Sequence, residues 1–434
     1  MSEQTLVATV GCVAVLVLML IRVPIAVSLG AVAVAGFAYL VGPGPAVGIL
    51  IDSPIRTVTN FNFSVIPMFI LMGAFVSASG MSRELFRAAN AWVGHLPGGT
   101  AIATIFACGG FAAINGSSIA SAATMTQVAL PEMRRVGYDP GLSAGVVAAG
   151  GTLGIMIPPS VMFILYSILT DTNLAALFIA GILPGLIAIA LYCATVLILY
   201  RVRREWMPRT ASADWHERWQ SLRDVWATLL LFGLVVGGIY GGVVTIAEAA
   251  GLGAFGALAI GVMRRRLSWE KIVDSLVEAL RTSAAIFFIV IAAFLFQYFL
   301  AVTQMSQLLS GFLTSLPVGP LGVVIVILAF YIIIGMFVDE LAIILLTIPI
   351  VFPIVTGLGF DPVWFGVLVV VTVQIGLIAP PVGIICFIMN NMVPDIGLVN
   401  IYKGAMPFVI ADLFWLALLV AFPTLSLLLP QLMG

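Results

Sequence analysis

Two copies of one proline-broken stretch, 222 residues apart in apolar sequence, constrain this 434-residue chain more than any other feature. The first copy reads Gly151-Thr152-Leu153-Gly154-Ile155-Met156-Ile157-Pro158-Pro159 and the second Gln374-Ile375-Gly376-Leu377-Ile378-Ala379-Pro380-Pro381. At that constant offset Gly154 maps onto Gly376, Pro158 onto Pro380 and Pro159 onto Pro381. The register extends upstream without a gap, from Pro131 onto Pro353 and from Gly137, Asp139 and Pro140 onto Gly359, Asp361 and Pro362. Proline lacks a backbone donor and stops a helix. In lipid the groups it frees are tolerated only where protein or a cavity meets them. Two helix breaks in matching positions of two halves point to the binding region of a transport protein.

Composition sets the surroundings. Hydrophobic residues make up 62% of the chain and charged residues 9%, with a mean hydropathy of +1.21. Soluble domains carry about 25% charged residues, so this is a membrane chain. A net charge of −1 argues against nucleic acid as a partner. Cys12, Cys108, Cys193 and Cys386 are widely spaced in apolar stretches and read as unpaired core residues. The apolar run from Leu6 to Ile21 lacks a basic flank and a cleavage site, and reads as a first membrane helix.

Positive charge orients the spans, since it collects on the cytoplasmic side. The richest cluster is Arg201, Arg203, Arg204, Arg209, Arg218 and Arg223, with Trp206, Trp215, Trp219 and Trp226 interleaved. Tryptophan favours the headgroup level, so this segment reads as a cytoplasmic loop along the interface. Apolar runs at 226–243 and 245–263 return the chain to Arg264-Arg265-Arg266 and Lys271 on the same side. Helices at 174–200 and 140–169 put Arg134-Arg135 there too. Arg83 and Arg87 precede 98–130, which must leave and re-enter the cytoplasm as a re-entrant hairpin. A helix at 64–79 descends to Arg83, one at 24–41 ascends from Arg22, and the N-terminus lies outside.

The second half repeats this plan upside down. A helix at 282–301 rises to an uncharged turn, and 317–355 forms a second hairpin. A broken helix at 362–393 then descends, and a last helix at 404–429 rises past Lys403. Residues 82–95 and 268–281 are amphipathic and read as arms lying flat at the surface. The expectation is an all-α polytopic membrane protein of about ten membrane helices, with two re-entrant hairpins and two broken helices in an inverted repeat. Its divisions fall at 1–62 (N-terminal scaffold helices), 63–200 (first repeat) and 201–225 (basic loop). Residues 226–281 supply scaffold helices with the second arm, and 282–434 the second, inverted repeat.

Each half offers a hairpin tip and a helix break. The first tip is Asn115-Gly116-Ser117-Ser118, the second Gly335-Met336-Phe337-Val338-Asp339-Glu340. Helix N-termini suit an anion, and helix C-termini present carbonyl oxygens suited to a hard cation such as sodium. Small residues at the first tip would also serve close helix packing alone. Asp339 and Glu340 are each candidates to bind a cation, relay a proton or cap the second hairpin limb, and Glu340 could instead simply reach water. Glu248 and Asp412 read as domain contacts. From tips and breaks the substrate candidates are Asn115, Ser118, Thr152, Pro158, Asp339 and Pro380. Arginine and lysine are missing there, so a carboxylate substrate would rely on dipoles, hydroxyls, amides and bound cations. His95 and His216, the only histidines, fall in surface segments. No nucleophile–base pair or phosphate loop appears, which disfavours an enzyme.

At these residues the chain resembles the large membrane subunit of the tripartite ATP-independent periplasmic (TRAP) transporters. The resemblance covers nearly the whole length. In the first half it is strongest in Val93-Gly94-His95-Leu96-Pro97-Gly98-Gly99, in Asn115-Gly116-Ser117-Ser118, in Pro131 through Pro140 and in Gly151 through Ser160. In the second half it rests on Gly335-Met336-Phe337-Val338-Asp339 and on Ile375 through Gly383. It implies an elevator-type, sodium-driven secondary transporter for an organic acid, multi-pass in a bacterial or archaeal inner cell membrane. The implied partners are a small membrane subunit and a periplasmic substrate-binding protein. The implied sodium sites are Ser117, Gly154, Ile157 and Ser160, and Gly335, Gly376, Ala379 and Val382, largely through backbone carbonyls. Alternatives are a stand-alone elevator anion transporter and a passive channel. The chain departs from the family pattern at Asn115, where serine is usual, at Ala379, where threonine is common, and at Ala74, where asparagine is common. Ile246-Ala247 replace the usual proline and threonine before Glu248.

Overall fold

The computed structural model describes residues 3–21, 23–210, 212–315 and 317–433. Arg22, the expected start of an ascending helix, lies outside the described residues. Among these residues every regular element is a helix, in an all-α polytopic membrane protein. Helices Phe61–Ala78, Leu174–Val202, Ile246–Met263, Trp269–Thr303, Glu340–Gly357 and Leu398–Ala421 are each long and apolar enough to cross a membrane. Most hairpin and break limbs are among the shorter apolar helices, as segments that turn back within the layer need less length. All four cysteines are free, and Cys108 and Cys386 are buried.

The two halves match helix for helix, starting at Ile25–Val41 against Ile246–Met263, upstream of the boundary suggested at 63. The first hairpin pairs Gly99–Asn115 with Ser118–Arg135, and the second pairs Pro320–Gly335 with Glu340–Gly357. The first broken helix runs Pro140–Thr152 and Val161–Thr170, the second Pro362–Ile378 and Ile384–Met392. Both broken helices start on an Asp-Pro pair. Asp139 accepts from Leu142 N (2.8 Å) and Asp361 from Val363 N (2.8 Å), while the proline takes the first helical turn, where no donor is needed. The Pro158-Pro159 and Pro380-Pro381 bonds are both cis.

The second arm is where the structure corrects the sequence reading. Residues 268–281 form no separate arm: all but Ser268, its N-cap, belong to the uninterrupted 35-residue helix Trp269–Thr303. Such a helix is about 50 Å long and outruns an apolar layer of about 30 Å, so its charged first turns fall outside. No glycine or proline interrupts 269–303, whereas the corresponding region of the first half divides at Asn60, which caps the following turn, into Pro43–Thr59 and Phe61–Ala78. The counterpart of the first arm, Met81–Val93, is Met305–Thr314. A left-handed residue precedes each, Gly80 (φ 78°) and Gln304 (φ 53°). The helix 305–314 carries no charge, which made it read as a turn.

Two sets of helices pack separately. Helices 25–41, 61–78, 246–263 and 269–303 pack on one another as a scaffold. The broken helices pack on 174–202 and 398–421, across the two halves. There Gly141, Gly145 and Gly404 let backbones touch: a Cβ on Gly145 would lie 2.5 Å from Ala405 N, and one on Gly141 would lie 2.9 Å from Asn400 O. Small residues four apart are the usual means of close helix approach in lipid. Tyr166 donates to Pro362 O (2.7 Å) and Trp364 Nε1 to Leu419 O (3.0 Å).

Candidate functional site

At the first tip, Gly116 adopts a left-handed conformation (φ 66°) that turns the chain, and Ser117 caps the returning limb. The tip lies against the first break. A Cβ on Gly154 would stand 2.5 Å from Ser117 O, and one on Gly116 would stand 2.7 Å from Pro159 O. Val161 N donates to Gly116 O (3.3 Å). Ser160 caps the limb 161–170 and donates its hydroxyl hydrogen to Ile155 O (2.5 Å). Ser117, Gly154 and Ser160 thus come together. The half-buried Ile157 packs its side chain on Gly109 and Gly185, leaving only its backbone to the break.

The second tip and break repeat this with different side chains. A Cβ on Gly376 would lie 2.6 Å from Gly335 Cα and 2.9 Å from Gly335 O. Gly383 N donates to Met336 O (3.2 Å), the mirror of Val161 on Gly116. Ala379 ends the helix with an extended backbone, and its side chain offers no oxygen. The Val382 carbonyl accepts from the Tyr402 hydroxyl (2.6 Å), with Pro381 O at 2.9 Å. Sequence reasoning missed Tyr402, which lies 20 residues beyond the break it steadies.

Between the tips is a cavity of about 480 Å³, bounded by Asn115, Ser117, Asp339 and Glu340 and, on the scaffold side, by Ala74, Glu278 and Thr282. Asp339 caps the limb Glu340–Gly357, accepting from Leu341 N (3.0 Å) and Ala342 N (3.2 Å), and still faces the cavity. Against the reading that it simply reaches water, Glu340 is buried at 5% exposure. Ser118, Thr152, Pro158 and Pro380 are absent from the cavity lining. The Ser118 hydroxyl donates to Thr152 O (3.3 Å), and the Thr152 hydroxyl to Ala149 O (2.7 Å), so both stay within the packing of tip on break. Asn115 borders the cavity and packs its side chain against Gly73, next to Ala74.

The cavity shares Ser77 and Thr124 with a neighbouring one of about 300 Å³ that Arg83, Arg266 and Lys271 line. Arg83 in turn borders a cavity of about 1050 Å³ that also holds Arg87, Arg135 and Arg209. The basic clusters expected on one side therefore meet on one face. Arg264 binds Glu84 through both guanidinium nitrogens (2.7 and 2.8 Å), tying this face of the scaffold to the arm.

The remaining acids take different roles. Glu248 makes no domain contact: it faces outward and closes a capping box with Thr245. Asp412 is fully buried, and its Oδ1 accepts from the Tyr192 hydroxyl (2.7 Å). Tyr192 also accepts from Gln374 Nε2 (3.0 Å) and approaches the Thr152 hydroxyl (3.3 Å). Thr152 and Gln374 occupy the same position in the two breaks, so this cluster pins the halves together.

Comparison with known proteins agrees with this architecture. The family profile described as Tripartite ATP-independent periplasmic transporter, DctM component, matches residues 12–425. The C4-dicarboxylate TRAP transporter large permease protein of Pseudomonas aeruginosa is 36% identical over 381 residues, covering 87% of this chain and 88% of that one. The sialic acid TRAP transporter large permease protein of Vibrio cholerae is 30% identical, covering 86% and 87%. In fold, the chain is similar to the crystal structure of the Alcanivorax borkumensis YdaH transporter. The TM-score is 0.63 at 15% identity, over 87% of this chain and 89% of that one. Matched by that profile from residue 12 to residue 425, the chain belongs to the TRAP transporter family as a large membrane subunit.

Proposed function

We propose that this subunit carries an organic acid across the inner membrane together with sodium, by an elevator movement of the hairpins and broken helices against the scaffold. A small membrane subunit completes the membrane unit, and a periplasmic binding protein delivers the substrate. The observation that carries this reading is the cavity bounded by both hairpin tips, which shares Ser77 and Thr124 with the cavity on the face of Arg83, Arg266 and Lys271. Positive charge marks that face as cytoplasmic, so the cavity corresponds to an inward-facing state. The elevator element rests on the separate packing of the two helix sets.

Sodium is a co-substrate in this scheme. The carbonyl-rich approaches of Ser117 on Gly154 and of Gly335 on Gly376 are where it would bind, Ile157, Ser160, Ala379 and Val382 supplying further oxygens. Bound there, it neutralises carbonyl ends and holds each tip on its break, so cation occupancy and substrate binding reinforce each other. Asn115 and the first turn of the limb 118–135 face the substrate carboxylate. The test is reconstitution in proteoliposomes. The chain alone should show little uptake under an inward sodium gradient, and the small subunit with the binding protein should restore it. Robust uptake by the chain alone would favour a stand-alone transporter, and flux without any gradient requirement a channel.

A further inference from the structure

The cavity between the hairpin tips has two unlike walls. On one side are the Asn115 amide, Ser117 and the opening turn of the 18-residue limb Ser118–Arg135, represented in the lining by Ile119 and Ala120. Free backbone N–H groups and the positive end of the helix dipole make this the donor wall. Asp339 and Glu340 also line the cavity, with Glu278 on the scaffold, and no lysine, arginine or histidine lines it. For a permease of acids this lining is electrostatically inverted.

The three carboxylates differ. Asp339 Oδ1 is committed to two backbone N–H groups, and Glu278 is exposed on the scaffold helix. Glu340 is different, being buried at 5% exposure beside the Ser118 hydroxyl of the opposite tip, and its Oε2 has no hydrogen-bond partner. A buried carboxylate oxygen without a donor is costly, and no protein cation offsets it. Glu340 lines the cavity, so a donor entering there would satisfy that oxygen.

We propose that the substrate is a zwitterion, whose carboxylate faces Asn115 and the start of the limb 118–135 and whose protonated amine binds Glu340. This rests on the reading of the cavity as the substrate site. A purely anionic dicarboxylate would place a second negative charge against Glu340, whereas an ammonium group supplies up to three donors and cancels its charge. Glu340 is then the residue that selects amino-bearing acids.

The test uses the complete complex. The binding protein is purified natively and its retained ligand identified by mass spectrometry, then used as the labelled substrate for uptake into proteoliposomes. The ligand should carry both a carboxylate and an amine. Glu340→Gln should lower its uptake more than tenfold, the loss that follows removal of a charge-assisted hydrogen bond. Glu340→Asp should retain more of it. A ligand without an amine overturns the proposal, as does wild-type uptake by Glu340→Gln. Sodium binding measured without substrate that is lost in Glu340→Gln also overturns it, marking Glu340 as a cation holder. The melting temperature of the membrane complex separates misfolding from lost recognition, and should Glu340→Gln misfold, the ligand's identity decides. Failure of the wild-type complex to take up any ligand would instead sink the transport reading itself.

Discussion

At the scale of single residues, the glycines of the two breaks carry the sharpest demand. Gly154 and Gly376 each stand where a Cβ would collide with backbone of the facing tip, at 2.5 Å from Ser117 O and 2.6 Å from Gly335 Cα. Backbone cannot swing aside as a flexible side chain can. Gly376→Val and Gly154→Val should therefore each abolish sodium-dependent uptake while the complex still assembles, checked by co-purification with the small subunit. Normal sodium-driven transport in either variant would remove the breaks from the cation sites. Asp412 makes a different demand. Its Oδ2 and Gln374 Oε1 are buried without partners, so this cluster is rich in acceptors and poor in donors. Asp412→Asn keeps the acceptor for Tyr192 and adds donors, and should melt within a few degrees of wild type. Asp412→Ala removes the carboxylate acceptor of the buried Tyr192 hydroxyl and should cost about 2 kcal/mol, read as a lowered melting temperature.

At the scale of elements, local capping and close backbone approach decided how the helices run. The stretch 43–78 divides at Asn60, whose side chain caps the next turn, while 269–303 runs through. The crossing of 140–152 on 398–421 depends on backbone contact at Gly145 and Gly404, where no side chain fits. Gly145→Val should force these helices apart, at a cost of about 3 kcal/mol. The purified subunit should melt earlier, and uptake should fall with the folded fraction rather than through altered sodium dependence. An unchanged melting temperature would mean the crossing can slide to accommodate the side chain.

At the scale of the whole molecule, the gathering of basic residues is an orientation signal. Arg83, Arg87, Arg135 and Arg209 share one cavity, and Arg83, Arg266 and Lys271 the next, although these residues come from four separate stretches of chain. Their common face should be cytoplasmic. Single cysteines at Thr210 and Leu432, in a background lacking the native four, should react with impermeant reagent from opposite sides of the membrane. Labelling of both from one side would invert half of the topology.

The chain by itself determined its breaks, its caps and its repeat. The paired prolines at 158–159 and 380–381 interrupt their helices, Asp-Pro at 139–140 and 361–362 starts them, and the offset of 222 made the halves visible. These are properties of local backbone chemistry, which neighbouring residues set. Only the tertiary structure decided which polar groups face the cavity. Ser118 and Thr152 sit at the tip and the break yet spend their hydroxyls on packing, while Glu340, for which the sequence left water open, is closed in by the opposite tip. Tyr192 meets Asp412, 220 residues away, and Tyr402 steadies Val382 from the next helix. Such pairings depend on how helices rotate as they pack, and no local pattern encodes that rotation in a chain whose helices are apolar on nearly every face.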